Sequence, residues 1–248
     1  MPTIVPFTDE HLDAAGRLLA ERHRTHRGVE PGLDKRYEDP AAAGGEVEAL
    51  KGREGASGVA ARAGGDVVGF LIGTTRDASW GPNVWVEPAG HAASNPEVVR
   101  DLYAAAAEGW VADGRTFHYA MVPATDPTLV DAWFRLGFGH QHVHAIRETP
   151  AAPSAQPPCC ALEVSASYTS LALAPDAGFL GFAAVLPEAR GSGAGRLLGE
   201  AVIDWARETG RPTVVADWRM TNLLASRAWP RLGFRPMFYR LFRAIPPA

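Results

Sequence analysis

The sequence has little sulfur and no long apolar run. Its only cysteines, Cys159 and Cys160, are adjacent. Neighbouring cysteines rarely close a relaxed disulfide, and two sulfurs are too few for a structural zinc site, so no metal site is expected. A reducing, cytoplasmic setting is the expectation. No stretch approaches the roughly 18 apolar residues of a membrane-spanning helix. The opening "MPTIVPFTDEHLD" lacks both the basic segment and the apolar centre of a signal peptide. Basic excess is missing too: the net charge is −4 and the sequence pI about 6.1, so neither nucleic acid nor an anionic membrane is an expected partner. Histidine is absent after His144. All eight lie between His11 and His144, so a histidine serving later residues must reach them across an interface.

What is present fits a globular protein of one large or two ordinary domains: 248 residues, 46% hydrophobic and 21% charged. Thr3–Phe7 reads as a strand, followed by Thr8 as N-cap of a helix with Leu12, Ala15 and Leu19 at helical spacing. "AAAGGEVEALKGR" is a weaker helix whose start is blurred by Gly44 and Gly45. Strands are expected at "GVAARAGGDVVGFLIGTT" and "NVWVEP", and a helix from Pro96 with Val98, Leu102 and Trp110 on one face. "FHYAMV", "DPTLVDAWFRLG" and "HQHVHAIRE" continue as strand, helix, strand. The proline-rich "TPAAPSAQPP", 149–158, reads as a linker between a first domain, 1–148, and a second, 159–248. Beyond it the order returns: strand-like "ALEVSASYTSLAL" and "GFLGFAAVLP", helix, strand, helix, strand.

The return is also a sequence repeat. Asp126–Phe138 aligns with Asn222–Phe234 at an offset of 96 (222 − 126), and six of the seven residues from Ala132/Ala228 to Phe138/Phe234 are identical. A module has been duplicated.

The densest chemical signal is "VLPEARGSGAGRLLGEA", a glycine-rich turn between a strand-like run and a helix. Gly191, Gly193 and Gly195 permit positive φ and close approach, and a helix N-terminus presents unpaired N–H groups and a positive dipole end. Together they predict an anion site, most simply for phosphate. A P-loop needs lysine after its last glycine, where Arg196 stands. The dinucleotide spacing Gly-x-Gly-x-x-Gly fails from Gly191 and from Gly193.

The remaining pattern resembles the acetyl-CoA pyrophosphate loop of the GNAT superfamily of N-acetyltransferases: Arg190, Gly191, Ser192, Gly193, Ala194 and Gly195 after Val185-x-Pro187. The superfamily's second signature is matched by Asn222, Ala225, Trp229, Gly233 and Phe234. The resemblance implies two tandem GNAT-like α/β (α+β) modules with mixed, splayed sheets flanked by helices. It implies acetyl-CoA as acyl donor, its pyrophosphate held by the amides from Arg190 to Arg196. Val185 would lie along the pantetheine arm and polarise the thioester carbonyl through its amide. Asn222, Ser226 and Trp229 would complete the cofactor site, and a primary amine would attack the thioester directly in a ternary complex.

Two departures bear on that chemistry. Family members often carry a glutamate on the strand before the loop, but "GFLGFAAVL" has no ionisable residue. Asp217 is the nearest substitute, as a base through water or as a holder of a cationic amine. The family's frequent tyrosine acid is replaced by Trp229, with Tyr239 and Tyr168 as possible stand-ins. These losses keep a second reading open, a non-catalytic acyl-CoA-binding or interaction module. The first half lacks the loop and has Asp126 in place of Asn222, so it is not expected to bind acetyl-CoA. His118 and Tyr119 are its candidates to line a shared cleft. The acceptor class is a small-molecule or peptide amine; oligomeric state is open.

Overall fold

The computed structural model describes residues 2–151, 171, 176–181, 183–185, 187 and 190–246. Most of the linker, both cysteines, Tyr168 and the run "ALEVSASYTSLAL" therefore lie outside the described residues, Leu171 excepted. The fold is mixed α/β with mixed sheets flanked by helices, in two compact units. One comprises Met1–Pro31, Lys35–His140 and Tyr239–Ala248, and the other Gly32–Asp34 and Gln141–Phe238.

In the first unit an antiparallel sheet runs in the order β1 (Thr3–Pro6), β2 (Ser57–Ala63), β3 (Asp66–Gly73) and β5 (His91–Ala93). A second set of strands pairs β4 (Asn83–Val86) in parallel with β6 (Phe117–Pro123). Helices α1 (Leu12–Val29) and α2 (Pro40–Lys51) precede β2; α3 (Pro96–Ala112) and α4 (Pro127–Arg135) flank β6. The sequence foresaw most of these elements. Thr8 stands before a short 3-10 turn, Asp9–His11, that leads into α1. Asp39 caps α2, with Pro40 in its first turn. Its glycines serve helix contact: a Cβ on Gly16 of α1 would lie 2.5 Å from Pro40 O and 3.0 Å from Gly44 Cα. On α3 the buried face is Val99, Leu102, Tyr103, Ala106 and Trp110, and Val98 is only half-buried. Strand β5 was not expected. It occupies the segment where the first copy lost its glycines.

The second unit carries β8 (Gly178–Leu180), α5 (Ala194–Glu208), β9 (Thr213–Arg219) and α6 (Leu223–Arg231). β8 pairs in parallel with β9, and β9 pairs antiparallel with β7 (Gly139–Glu148). α5 buries Ala201, Val202, Ile203 and Ala206, while Val214, Val215 and Ala216 of β9 are buried in turn.

The units do not follow the halves 1–148 and 159–248. Residues 141–148 of β7 belong to the second unit, although the repeat places them in the first copy. Residues 239–244 of β10 (Arg235–Ala244) belong to the first unit, where β10 is the neighbour of β6. Each copy thus hands its last strand to the other unit. An exchange of this kind leaves the order of elements along the chain unchanged, so a linear repeat cannot reveal it.

Candidate functional site

β8 and β9 stay paired from Gly178↔Val214 to Leu180↔Ala216 and then part. β9 continues to Arg219, whereas Gly181 and Ala183–Val185 are in no strand. The strand expected through "GFLGFAAVLP" is therefore short among the described residues, because its partner edge is lost where the sheet splays. At the splay lies a cleft of about 710 Å³. Ala183, Ala184 and Val185 line it, followed by Arg190, Gly191, Gly193, Gly195 and Leu198 of the loop and α5. The rest comes from Asn222, Leu224, Ala225, Arg227, Ala228, Trp229 and Arg231, all but Asn222 on α6.

The loop backbone explains two of its glycines. Gly191 has φ +82° and Gly193 φ +91°, a region that costs an L-residue about 1–2 kcal/mol. A Cβ at either would meet nothing within 4 Å, so φ and not crowding demands glycine there. Gly193 is the N-cap of α5 and brings no side chain to the first-turn amides. Most other helices here carry a side-chain cap. Asp39, Asn95 and Asp126 accept from first-turn amides of α2, α3 and α4, and Asn222 Oδ1 accepts from Ala225 N at 3.1 Å. The uncapped terminus of α5 is thus an anion-binding group facing a cleft.

Charge points the same way. Among the described residues, Arg190, Arg227 and Arg231 line the cleft and no Asp or Glu does, in a chain whose net charge is −4. Four expected residues are placed less directly. Arg196 is exposed and pairs with Glu200 at 3.7 Å, and Ser192 is exposed beside the cleft lining. Ala194 sits half-buried in the first helical turn. Ser226 donates from Oγ to Met220 O at 3.5 Å rather than lining the cleft. Asn222 and Trp229 do line it, Trp229 with its ring edge-on to Phe234 at 5.5 Å between centroids.

Asp217 lies one residue beyond the last β8–β9 pair, with its side chain 25% exposed. Across the β7–β9 register it faces His144, which is buried, with His144 Nδ1 3.9 Å from Asp217 Oδ2. The sequence offered no histidine for the second unit, and the strand exchange supplies His142 and His144. Arg227 and Arg231 were missed as well, although their spacing of four on a helix was visible in "SRAWPR".

The equivalent place in the first unit is built differently. Asn95 Oδ1 accepts from Glu97 N at 2.9 Å, so the N-terminus of α3 is already satisfied. Asp126 caps α4 through Thr128 N and Leu129 N at 3.1 and 2.9 Å. β5 pairs with β3, and Arg22 donates to the carbonyls of Pro88 and His91. Burial lowers the Arg22 pKa to about 9. Trp133, the repeat partner of Trp229, is fully buried and edge-on to His91 at 5.6 Å. His118 and Tyr119 are interior residues of this unit. His118 Nδ1 lies 2.7 Å from Tyr103 Oη, and Tyr119 stacks on Trp85 at 4.4 Å. Tyr239 is half-buried against His140 at 4.1 Å in the same unit. Among the described residues no cluster of His, Cys, Asp or Glu is placed to hold a metal ion, and no helix is long and apolar enough to cross a membrane.

Residues 157–234 match the acetyltransferase (GNAT) family. No curated protein matches the chain in sequence. Among solved structures, a tandem GNAT protein from the clavulanic acid biosynthesis pathway superimposes over the full length of both chains, with a TM-score of 0.55 and 17% identity. A GCN5-related N-acetyltransferase from Sphaerobacter thermophilus covers 100% of this chain and 96% of its own, with a TM-score of 0.63 and 13% identity. The chain has the tandem GNAT fold.

Proposed function

We propose that the chain transfers an acetyl group from acetyl-CoA to a primary amine, small-molecule or peptide, and that the second unit holds the cofactor. The observation that carries this reading is the α5 terminus: two positive-φ glycines, no side-chain cap, and three arginines around one cleft with no carboxylate lining it among the described residues. The residues present fit acetyl-CoA. The amides from Gly191 to Arg196 and the Arg190 guanidinium hold the pyrophosphate, and Val185 and Trp229 flank the pantetheine arm. When bound, the cofactor supplies an activated thioester carbonyl.

The remaining chemistry belongs to the chain. The Val185 amide, at the cleft wall, would donate to a carbonyl oxygen that gains negative charge. Asp217, partly exposed at the splay, holds a cationic amine or takes its proton through water, so that a neutral nitrogen attacks. Trp229 cannot serve as a useful acid. The chain would therefore offer a leaving thiolate no proton from Trp229, and a thiol pKa like that of cysteine, about 8.5, would make none necessary. The first unit, with Asn95, Asp126, β5 and Arg22 in the equivalent positions, stays without cofactor.

Calorimetric titration with acetyl-CoA, followed by release of CoA against a panel of amines, tests the reading. One site per chain and turnover with an amine support it; two sites overturn the silent first unit. One specific feature favours a second reading, an acyl-CoA-binding module without catalysis: neither glutamate nor tyrosine stands in the family's usual acid and base positions. Tight binding without turnover on any amine would select that alternative.

A further inference from the structure

The repeat gives the first unit a cavity at the place that corresponds to the cleft of the second. His91, Ser94, Pro96 and Val99 stand where the other copy has Arg190, Gly193, Gly195 and Leu198, at an offset of 99 (190 − 91), and Asp126 stands where it has Asn222. All five line a cavity of about 610 Å³, the size of a small-molecule site, to which α1 adds Leu18, Arg22 and Val29. The anion-binding features are gone from it. Asn95 and Asp126 occupy the first-turn amides of Glu97, Thr128 and Leu129, and a buried imidazole replaces Arg190.

Three polar atoms of its lining residues have no hydrogen-bond partner among the described residues. His91 Nε2 lies 3.1 Å from Met121 O, which only accepts, so Nε2 carries the proton and Nδ1 presents an unmet lone pair. Arg22 donates to the carbonyls of Pro88 and His91 through its terminal nitrogens, and its buried Nε–H meets no acceptor. Asp126 accepts its hydrogen bonds at Oδ1, leaving Oδ2 open. Arg22 and Asp126 bear opposite charges yet form no ion pair with each other, and Glu21 at the same cavity pairs with Arg24. Buried groups in this state weaken a fold unless a ligand or water completes them. Val29, 64% exposed, adds open apolar surface to a wall that also holds Leu18 and Val99.

We propose that this cavity of the first unit binds a free α-amino acid with an apolar side chain. Its ammonium group donates to His91 Nδ1 and Asp126 Oδ2, its carboxylate accepts from Arg22 Nε, and its side chain lies on the apolar wall. A simple anion would meet Asp126 and a simple cation would meet Arg22; a zwitterion answers both charges. The site stands apart from the acetyl-CoA reading of the second unit and does not depend on it.

The test is calorimetric titration of the intact chain with L-leucine, isopentylamine and 4-methylpentanoate, the last two being leucine without its carboxylate and without its ammonium group. Leucine is expected to bind at one site per chain, and each truncated analogue about tenfold or more weakly, for want of charge-assisted hydrogen bonds. Asp126→Asn removes the charge but keeps a side chain that caps helices equally well, and its leucine affinity should fall about tenfold. Circular dichroism shows that the variant is folded. Val29→Ser, at an exposed position, should weaken leucine severalfold and leave the fold intact whatever becomes of the first variant. No leucine binding by the wild type overturns the proposal and leaves the cavity to water. Isopentylamine or 4-methylpentanoate binding as tightly as leucine overturns it in favour of a site for one charge only. Leucine binding that both variants leave unchanged also overturns it, because the ligand then sits elsewhere, as an amine acceptor of the second unit would.

Discussion

His144 and Asp217 face each other across the β7–β9 pair, Nδ1 to Oδ2 at 3.9 Å, the histidine buried and the carboxylate partly exposed at the splay. The first copy of the repeat thus furnishes the residue behind this carboxylate. Asp217→Asn removes the charge and keeps the shape. If Asp217 takes the amine proton, kcat falls about 10²–10⁴-fold. Acetyl-CoA affinity should be unchanged, since Asp217 does not line the cleft. Steady-state kinetics paired with cofactor titration check this. A rise in acceptor KM alone assigns Asp217 to holding the ammonium.

Gly193→Ala forces alanine to φ +91° at the start of α5. The expected cost is about 1–2 kcal/mol of folding stability, or a local shift of the loop that relieves it. Either outcome disturbs the first-turn amides, so acetyl-CoA affinity should fall even though the new methyl meets no atom. Thermal melting with and without acetyl-CoA separates the two effects. An unchanged affinity would show that the loop amides do not hold the cofactor.

The glycine loop, the repeat and the order of most elements were legible because each is a local signal: spacing, caps and punctuation. Asp126 and Asn222 announce the starts of α4 and α6, and Gly137 and Gly233 follow their ends at φ +83° and +84°. The loss of the loop from the first copy was readable too, as missing glycines. What replaced them was not. The pairing of His91–Ala93 with β3 and the path of Arg22 to Pro88 and His91 depend on residues distant in sequence. The destination of β7 and β10 was hidden for the same reason. The arginines of α6 were visible but carried no signal of their own, because only the fold turns that face toward the loop.

Acid should weaken the first unit through His91. Its side chain is fully buried, and burial, reinforced by the Arg22 cation and opposed by the bond to Met121 O, lowers its pKa from 6.5 to about 3. The unfolded chain therefore binds a proton that the folded chain refuses below pH 6.5. This contribution is fully present above pH 6.5 and is lost as pH falls toward 3. At about 1.4 kcal/mol per pH unit, some 2–3 kcal/mol is lost by pH 4.5. His91→Gln should melt lower at neutral pH but lose less between pH 6.5 and 4.5 than the wild type. Parallel denaturant titrations at the two pH values read the difference, and equal losses would assign the acid sensitivity elsewhere.

Ending the chain at Phe238 tests the strand exchange. The deleted residues belong by sequence to the second copy, yet Leu241 is fully buried in the first unit's core with Val84, Val122 and Trp133. Phe242 lies 4.9 Å from the Tyr119 ring, and Ile245 N donates to Thr116 O at 2.9 Å. Losing a buried leucine alone costs about 2–5 kcal/mol, and the β10 edge of β6 goes with it. Against a total stability of about 5–15 kcal/mol, the first unit is expected to unfold. Limited proteolysis should then cleave within residues 2–140, at the opposite end of the sequence from the deletion. Native-like protection of that region in the shortened chain would show that the first unit closes its sheet without the borrowed strand.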